Sequence, residues 1–300
     1  MGRKAFCLAR PEQSGNHRMQ NRAMPDTNKN ITPRTPGSTG RSPWPDILAT
    51  RMLLWHLLPA LLLLATGIAR VHAGPPFYTD DPDPVDYRHN EFYVFSTSDR
   101  SDGSDAVTGP AIEYNRGIAR NMQFHVVLPF SYFAPAVGGS AFGFGDIEVG
   151  IKYRLLDETR DRPQIGIFPM AELATGSATR GLGNGRTWYR LPLWAQKSWG
   201  PWTSCGGGGL DINHAPGMRN SWFGGLLVQR DIGPKLTLGG EVFRQNAQAL
   251  ANRGYTLLNL GGYYNFTPDF SLLFSAGGSV VGARHGVAYL GLYWTWASRG

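Results

Sequence analysis

After Ala73 the chain has no long segment with the 3.6-residue period of an amphipathic helix; it repeats a different pattern twelve times. Each repeat is 9 to 13 residues rich in Tyr, Phe, Trp, Val and Gly, bounded by turn residues. The repeats fall at 90–98, 108–116, 122–131, 143–155, 163–174, 187–198, 201–212, 220–230, 235–246, 254–265, 269–279 and 287–297. Soluble strands average about five or six residues, whereas a strand crossing a bilayer needs about 9–11. Length thus predicts an all-β, transmembrane antiparallel β-barrel of about 12 strands rather than a soluble sandwich.

Alternation predicts which face meets lipid. In 122–131, Met122, Phe124, Val126, Leu128 and Phe130 share one face, opposite Gln123 and His125. In 143–155, Ile147, Val149, Ile151, Tyr153 and Leu155 oppose Asp146, Glu148, Lys152 and Arg154. A one-residue slip there puts four charges into hydrocarbon, at a cost on the order of 10 kcal/mol. In 269–279, Phe270, Leu272, Phe274 and Ala276 oppose Ser271 and Ser275. A soluble sandwich also alternates, so the connections are a second test. Odd-numbered ones read as the longer, and even-numbered ones as tight turns, such as Gly200-Pro201 and Thr267-Pro268-Asp269. Long loops on one rim and short periplasmic turns on the other are the outer-membrane arrangement. Trp188, Tyr189, Trp194, Trp199, Trp202, Tyr263, Tyr264, Tyr293, Trp294 and Trp296 cluster toward strand ends, where amphipathic rings form interfacial girdles.

The upstream residues divide in two. Residues 1–51, rich in Arg, Asn, Pro, Ser and Gly, read as a disordered or misassigned upstream segment. Residues 52–73 read as a cleaved signal peptide: Arg51-Met52, the apolar run Leu53–Ile68, then Val71-His72-Ala73. The rival, an uncleaved anchor, is weakened by a run short for a span of about 20 residues and containing His56 and Pro59. The net charge of +7 resides entirely in residues 1–73, which hold 10 Lys+Arg and 3 Asp+Glu; beyond them stand 19 of each. The basic balance therefore gives no reason to expect nucleic acid. No nucleotide-binding fingerprint or zinc spacing is present. Cys205 is the one cysteine beyond the leader, so an internal disulfide is excluded.

By strand parity, Glu113, Asp146, Glu148, Lys152, Arg154, Glu172, Arg190 and Glu241 project inward as lumen-lining residues. Such charges either set which solutes enter a pore or pair and fill a closed interior. Eight strands leave a filled barrel and sixteen to eighteen an aqueous channel, and twelve lies between. The loop Ala174–Arg186 could fold inward as a constriction, with a flexible loop as the default. Residues 74–89 read as a periplasmic Asp/Pro-rich segment. Four Asp lie between Thr79 and Asp86; oxygen ligands suit Ca²⁺, but no Gly-bearing EF-hand loop accompanies them. Proline keeps the segment extended, with its carboxylates solvated or paired at the periplasmic rim. His125 and His285 are the candidates for a hydrolase base. His125 has no nearby Ser on its strand, and His285 lies in a loop near Ser279. The expectation is no enzyme, no metal and no cofactor.

The stretch Gly74-Pro75-Pro76-Phe77-Tyr78-Thr79-Asp80-Asp81-Pro82-Asp83-Pro84-Val85-Asp86-Tyr87-Arg88-His89-Asn90-Glu91-Phe92-Tyr93 resembles the opening of the outer-membrane transporters named the MetA-pathway of phenol degradation family. That resemblance implies a porin-like Gram-negative barrel linked to passage of aromatic or other small molecules. It covers about 20 residues, and Asn90 stands where an aromatic is expected. Trp296 is followed by Ala297-Ser298-Arg299-Gly300 rather than closing the last strand, a departure from the usual assembly signal. The partners expected are outer-membrane lipids, small-molecule solutes and the barrel-assembly machinery; nothing in the sequence specifies a homo-oligomer.

Overall fold

The computed structural model describes residues 75–101 and 103–298. The expected signal peptide and the 1–51 segment lie outside the described residues. The strands are β1 (His89–Ser101), β2 (Ser104–Ala119), β3 (Met122–Ala134), β4 (Ala141–Phe144), β5 (Ile147–Leu156), β6 (Gln164–Ile167), β7 (Met170–Leu173), β8 (Trp188–Trp199), β9 (Trp202–Ile212), β10 (Ser221–Asp231), β11 (Leu236–Gln245), β12 (Tyr255–Thr267), β13 (Phe270–Gly282) and β14 (His285–Ala297). β4 and β5 both pair with β3, and β6 and β7 both lie between β5 and β8. Each couple is one interrupted stave, which gives a closed 12-strand antiparallel barrel. Pro169, which lacks an N–H, sits in the second break. Closure is the β1–β14 ladder, in register from His89↔Ala297 to Ser101↔His285. With no free edge, every stave finds its hydrogen bonds within the ring, as a bilayer requires.

The predicted register holds. Outward residues such as Leu193, Leu226, Val242, Leu258, Leu260 and Leu290 are exposed on a continuous apolar belt, while Gln123, His125, Gln229, Glu241 and Asn259 are buried inside. Inverting the faces would set that apolar surface against the wet interior, at about 25 cal/mol per Å², and would strand the amides in hydrocarbon without partners. The interior is less uniformly polar than parity predicts. Trp194, Phe223, Phe243, Tyr255, Leu257 and Val287 form an internal apolar cluster, and Phe77, Cys205 and Leu227 a second.

Two expectations need correction. The alternation of loop length holds from 174 onward to 269, where 174–187, 213–220 and 246–254 on one rim outrun 200–201, 232–235 and 268–269 on the other, whereas 157–163 on the short-turn rim outruns 135–140. It fails at the first and last hairpins, where β1 runs to Ser101 before β2 begins at Ser104, and β13 to Gly282 before β14 begins at His285. Ser98 to Ser101 and His285-Gly286 carry no apolar alternation, yet they continue the ladder. Arg100 and Asp105 clasp the first hairpin at 2.6 Å. The girdle also loses Trp188, whose cross-strand partner is the inward Glu172, and three further rings. Trp194, Tyr263 and Tyr293 have inward parity and line the interior. The band that remains near the chain ends is a run of ring contacts through Tyr264, Phe266, Phe270, Trp294 and Phe92.

Candidate functional site: the lumen

Residues 75–88 enter the barrel from the rim that carries the ends of β1 and β14. Arg88 reverses the chain with φ 66°, its N–H donating to Gly117 O at 2.9 Å. The segment then runs inward without joining the ladder, so its backbone groups need other partners. Proline at 75, 76, 82 and 84 removes four donors outright. Side chains satisfy others: Val85 N donates to Gln123 Oε1 at 2.9 Å, and Tyr78 N to Glu241 Oε2 at 3.2 Å. Thr79 N also donates to the Glu241 carboxylate. Ser275 Oγ donates to Pro76 O at 2.7 Å. Gly225 opposite makes room, since a Cβ there would lie 2.0 Å from Thr79 Oγ1.

Charge fixes the segment's depth. Lys152 Nζ, on the inward face of β5, lies 3.1 Å from both Asp80 Oδ1 and Asp81 Oδ1. Arg154, two residues on, meets Asp83 at 2.7 Å. The spacing of these cations along β5 matches the spacing of the carboxylates along the extended segment. The sequence reading placed these carboxylates at the periplasmic rim or in solvent; Asp80 and Asp81 instead sit deep inside, because β5 offers cations there. A narrow void of about 80 Å³ surrounds this level, lined among others by Asp81, Lys152 and Tyr263.

On the far side of the segment the lumen widens. One cavity of about 330 Å³ is lined by Tyr78, Phe168, Met170, Arg190, Trp194 and Tyr289, with Glu113, His125 and Glu148. A second, of about 600 Å³, reaches Asp146, Glu172 and Gly181–Gly183 of the long loop. That loop is folded, not loose. It holds a 3-10 turn at Ala178–Arg180, and Leu182 is buried. The Asp146 carboxylate accepts Gly176 N at 2.8 Å and Asn184 N at 2.6 Å. Toward the other rim, a groove of about 940 Å³ runs past Asp83, Glu91, Lys235 and Tyr293.

The structure sets the eight candidate residues on the inner side of the wall. They divide by partner. Lys152 and Arg154 hold the inserted segment, and Glu241 receives its backbone. Arg190 makes a two-point contact with Asp211 at 2.8 and 3.1 Å and lies 4.4 Å over the Phe223 ring. Glu148 lies 2.7 Å from His125 Nε2, and Glu113 3.5 Å from its Nδ1. Glu148 and Glu172 are direct cross-strand partners. Asp146 anchors the loop. Parity reading missed Glu91, which accepts hydrogen bonds from Tyr93 and Tyr293, and Asp211. The Gly206–Gly209 run removes the alternation that would have marked Asp211 as inward.

The two histidines are not arranged for hydrolysis. His125 Nδ1 lies 2.7 Å from Asn115 Oδ1 and its Nε2 faces Glu148, so both ring nitrogens are engaged without a serine. His285 Nδ1 contacts Asp99 at 2.9 Å, but Ser279 Oγ accepts the His285 backbone N–H rather than meeting the ring. A serine nucleophile needs its base in hydrogen-bond reach.

A scan against protein-family models found no match, and a search of curated proteins found none. Among solved structures, the chain is similar to the COG4313 outer membrane channel from Pseudomonas putida F1, with 14% identity, a TM-score of 0.56, and coverage of 75% of this chain and 100% of that one. It also matches the NanC porin at 8% identity and a TM-score of 0.47, covering 68% of this chain and 98% of that one, a likeness too distant to argue from. The first match establishes a shared fold: this chain has the architecture of outer-membrane β-barrels.

Proposed function

We propose that this chain is an outer-membrane barrel that passes small solutes by passive diffusion, with residues 75–88 narrowing the route. One observation carries the reading: the interior is hollow on both sides of the inserted segment, with cavities of about 330 and 600 Å³ on one side and a groove of about 940 Å³ on the other. A barrel built only for rigidity has no use for such volume, since packed interiors keep few voids larger than water. In this reading residues 52–73 direct export, the rim with both barrel ends faces the periplasm, and the eight inward charges line the route. The resemblance of residues 74–93 to the phenol-degradation transporters supports small and aromatic solutes as cargo, and the fold shared with the COG4313 outer membrane channel supports a barrel that can serve as a channel.

The test is single-channel recording in a planar bilayer. Folded protein is expected to give small, ohmic openings. A second reading, a sealed barrel, is favoured by the ion pairs that hold the segment. It predicts silence both from the intact protein and from a variant without residues 75–86, and that pair of results would end the channel reading.

A further inference from the structure

The two rims of the barrel differ in charge. On the rim that carries the folded loop 174–187, the connections 135–140, 174–187, 213–220, 246–254 and 283–284 hold five arginines and no Lys, Asp or Glu; Asp102 is the acid of the remaining connection, 102–103. The connections of the other rim, 120–121, 157–163, 200–201, 232–235 and 268–269, are balanced, with four basic and four acidic residues. Solubility alone asks for interspersed signs, so the one-sided rim needs another reason. Three of its arginines stand on adjoining connections. Arg219 N donates to Gln248 O at 2.9 Å, tying 213–220 to 246–254, and Ala283 N donates to Gly254 O at 3.2 Å, tying 246–254 to 283–284. Arg219, Arg253 and Arg284 are all exposed. The acids on the inner side of this rim, Asp99 and Asp211, pair with His285 and Arg190 instead. Cations gathered in this way repel one another, and an anion shared among them removes that cost.

Arg244 shows from which side the anion comes. It is exposed on the outward face of β11, two residues above Val242 of the apolar belt, and its guanidinium donates to two neutral oxygens, Asn246 Oδ1 at 3.4 Å and Thr256 Oγ1 at 3.3 Å. Asn246 N donates to Trp222 O at 2.9 Å, which sets the Trp222 ring, 64% exposed, on the same outward face one step higher. An amphipathic ring above a hydrocarbon-facing belt marks the headgroup level of a bilayer. A cation at that height on the outer wall meets lipid headgroups and not a solute in the mouth. The guanidinium fork matches phosphate oxygens by two parallel hydrogen bonds. Below it, Val242 and Leu258 are direct cross-strand partners and 48% and 46% exposed, an apolar track on which acyl chains can lie.

We infer that the outer wall at this rim is a binding site for the phosphorylated headgroup of an anionic lipid. Arg244 meets the phosphate from the wall, Arg219, Arg253 and Arg284 supply the positive field above it, and the acyl chains run down past Val242 and Leu258. The inference rests on the membrane setting of the channel reading and not on conduction.

The test is native mass spectrometry of the full folded barrel released from non-ionic detergent containing equal amounts of dipalmitoylphosphatidate and dipalmitoylphosphatidylcholine. The phosphatidate is expected to be retained at least about tenfold more tightly. Arg244→Gln with Arg253→Gln is expected to bring the two lipids close to parity. Arg116→Gln with Arg120→Gln removes the same charge from the opposite rim and is expected to leave the preference unchanged. An excess of glycerol 3-phosphate, the headgroup without its chains, is expected not to displace the lipid. Should the first pair of substitutions abolish heat-modifiable gel mobility, Arg219→Gln with Arg284→Gln takes its place with the same expectation. Equal retention of both lipids, a preference lost to the same extent from either rim, or displacement by glycerol 3-phosphate overturns the site. All these variants are expected to conduct as the parent does. Loss of the lipid preference therefore leaves the channel reading standing, and a silent barrel that still selects phosphatidate leaves this site standing.

Discussion

Replacing Lys152 with methionine is expected to lower the unfolding free energy of the barrel by about 3–5 kcal/mol, the usual cost of removing one partner of a buried ion pair. The ammonium lies 3.1 Å from both Asp80 and Asp81, with side-chain exposures of 8%, 19% and 4% respectively. Methionine keeps the apolar stem that passes Phe168 but leaves two carboxylates in the lumen without their shared cation. The variant Lys152→Met, Asp80→Asn, Asp81→Asn is expected to recover most of the loss, because neutral amides cost less to bury than unanswered charges. Urea titration of the three proteins in the same detergent, followed by tryptophan emission, measures both steps. The segment can also escape the penalty by leaving the barrel, which caps the loss and raises conductance instead. A shift below about 1 kcal/mol with unchanged conductance would mean that Asp80 and Asp81 are solvated after all.

The staves were legible because lipid imposes a simple rule on them. Leu226, Val242, Leu258 and Leu260 face outward because hydrocarbon accepts nothing else there, and period two then fixes the inward set. That rule recovers all twelve staves. It says nothing about where the signal is absent. Asp99 to Ser101 and Ser104-Asp105 are polar, and Ala106-Val107 is too short a run to alternate, so 99–107 reads as loop although it continues the ladder. Trp194 was assigned to the interface by residue type when its parity, opposite Leu193, sends it inside. The inserted segment was the largest gap. Nothing local in residues 75–88 encodes a depth; the match is between Asp80, Asp81 and Asp83 on one stretch and Lys152 and Arg154 about seventy residues later. Partner matching at that separation has no periodic trace. The Glu148–Glu172 pair was half visible: both residues were read as inward, but only the pairing register sets them opposite each other.

Neutralising the three aspartates, as Asp80→Asn, Asp81→Asn, Asp83→Asn, is expected to raise single-channel conductance severalfold in a planar bilayer. The ion pairs at Lys152 and Arg154 are the charged tethers that set how deep residues 75–88 sit, and the void at their level is about 80 Å³ against about 600 Å³ above it. Conductance through cavities in series is governed by the narrowest, so removing the occupant there has a larger effect than enlarging either vestibule. The hydrogen bonds to the segment's backbone remain, including those of the Glu241 carboxylate from Tyr78 N and Thr79 N, so openings of the triple variant are expected to flicker between the two levels. Gly225→Val tests the same idea without touching charge. Its Cβ would lie 2.0 Å from Thr79 Oγ1, so the segment must shift while Lys152 and Arg154 keep their attraction for it. A variant lacking residues 75–86 sets the upper level, and both substitutions are expected to reach toward it. High salt is expected to shift the triple variant little and the intact protein slightly, since partly buried pairs are weakly screened. If the deletion conducts no better than the intact protein, the inserted segment is not the constriction, and the limit lies at the folded loop 174–187 across the opposite mouth.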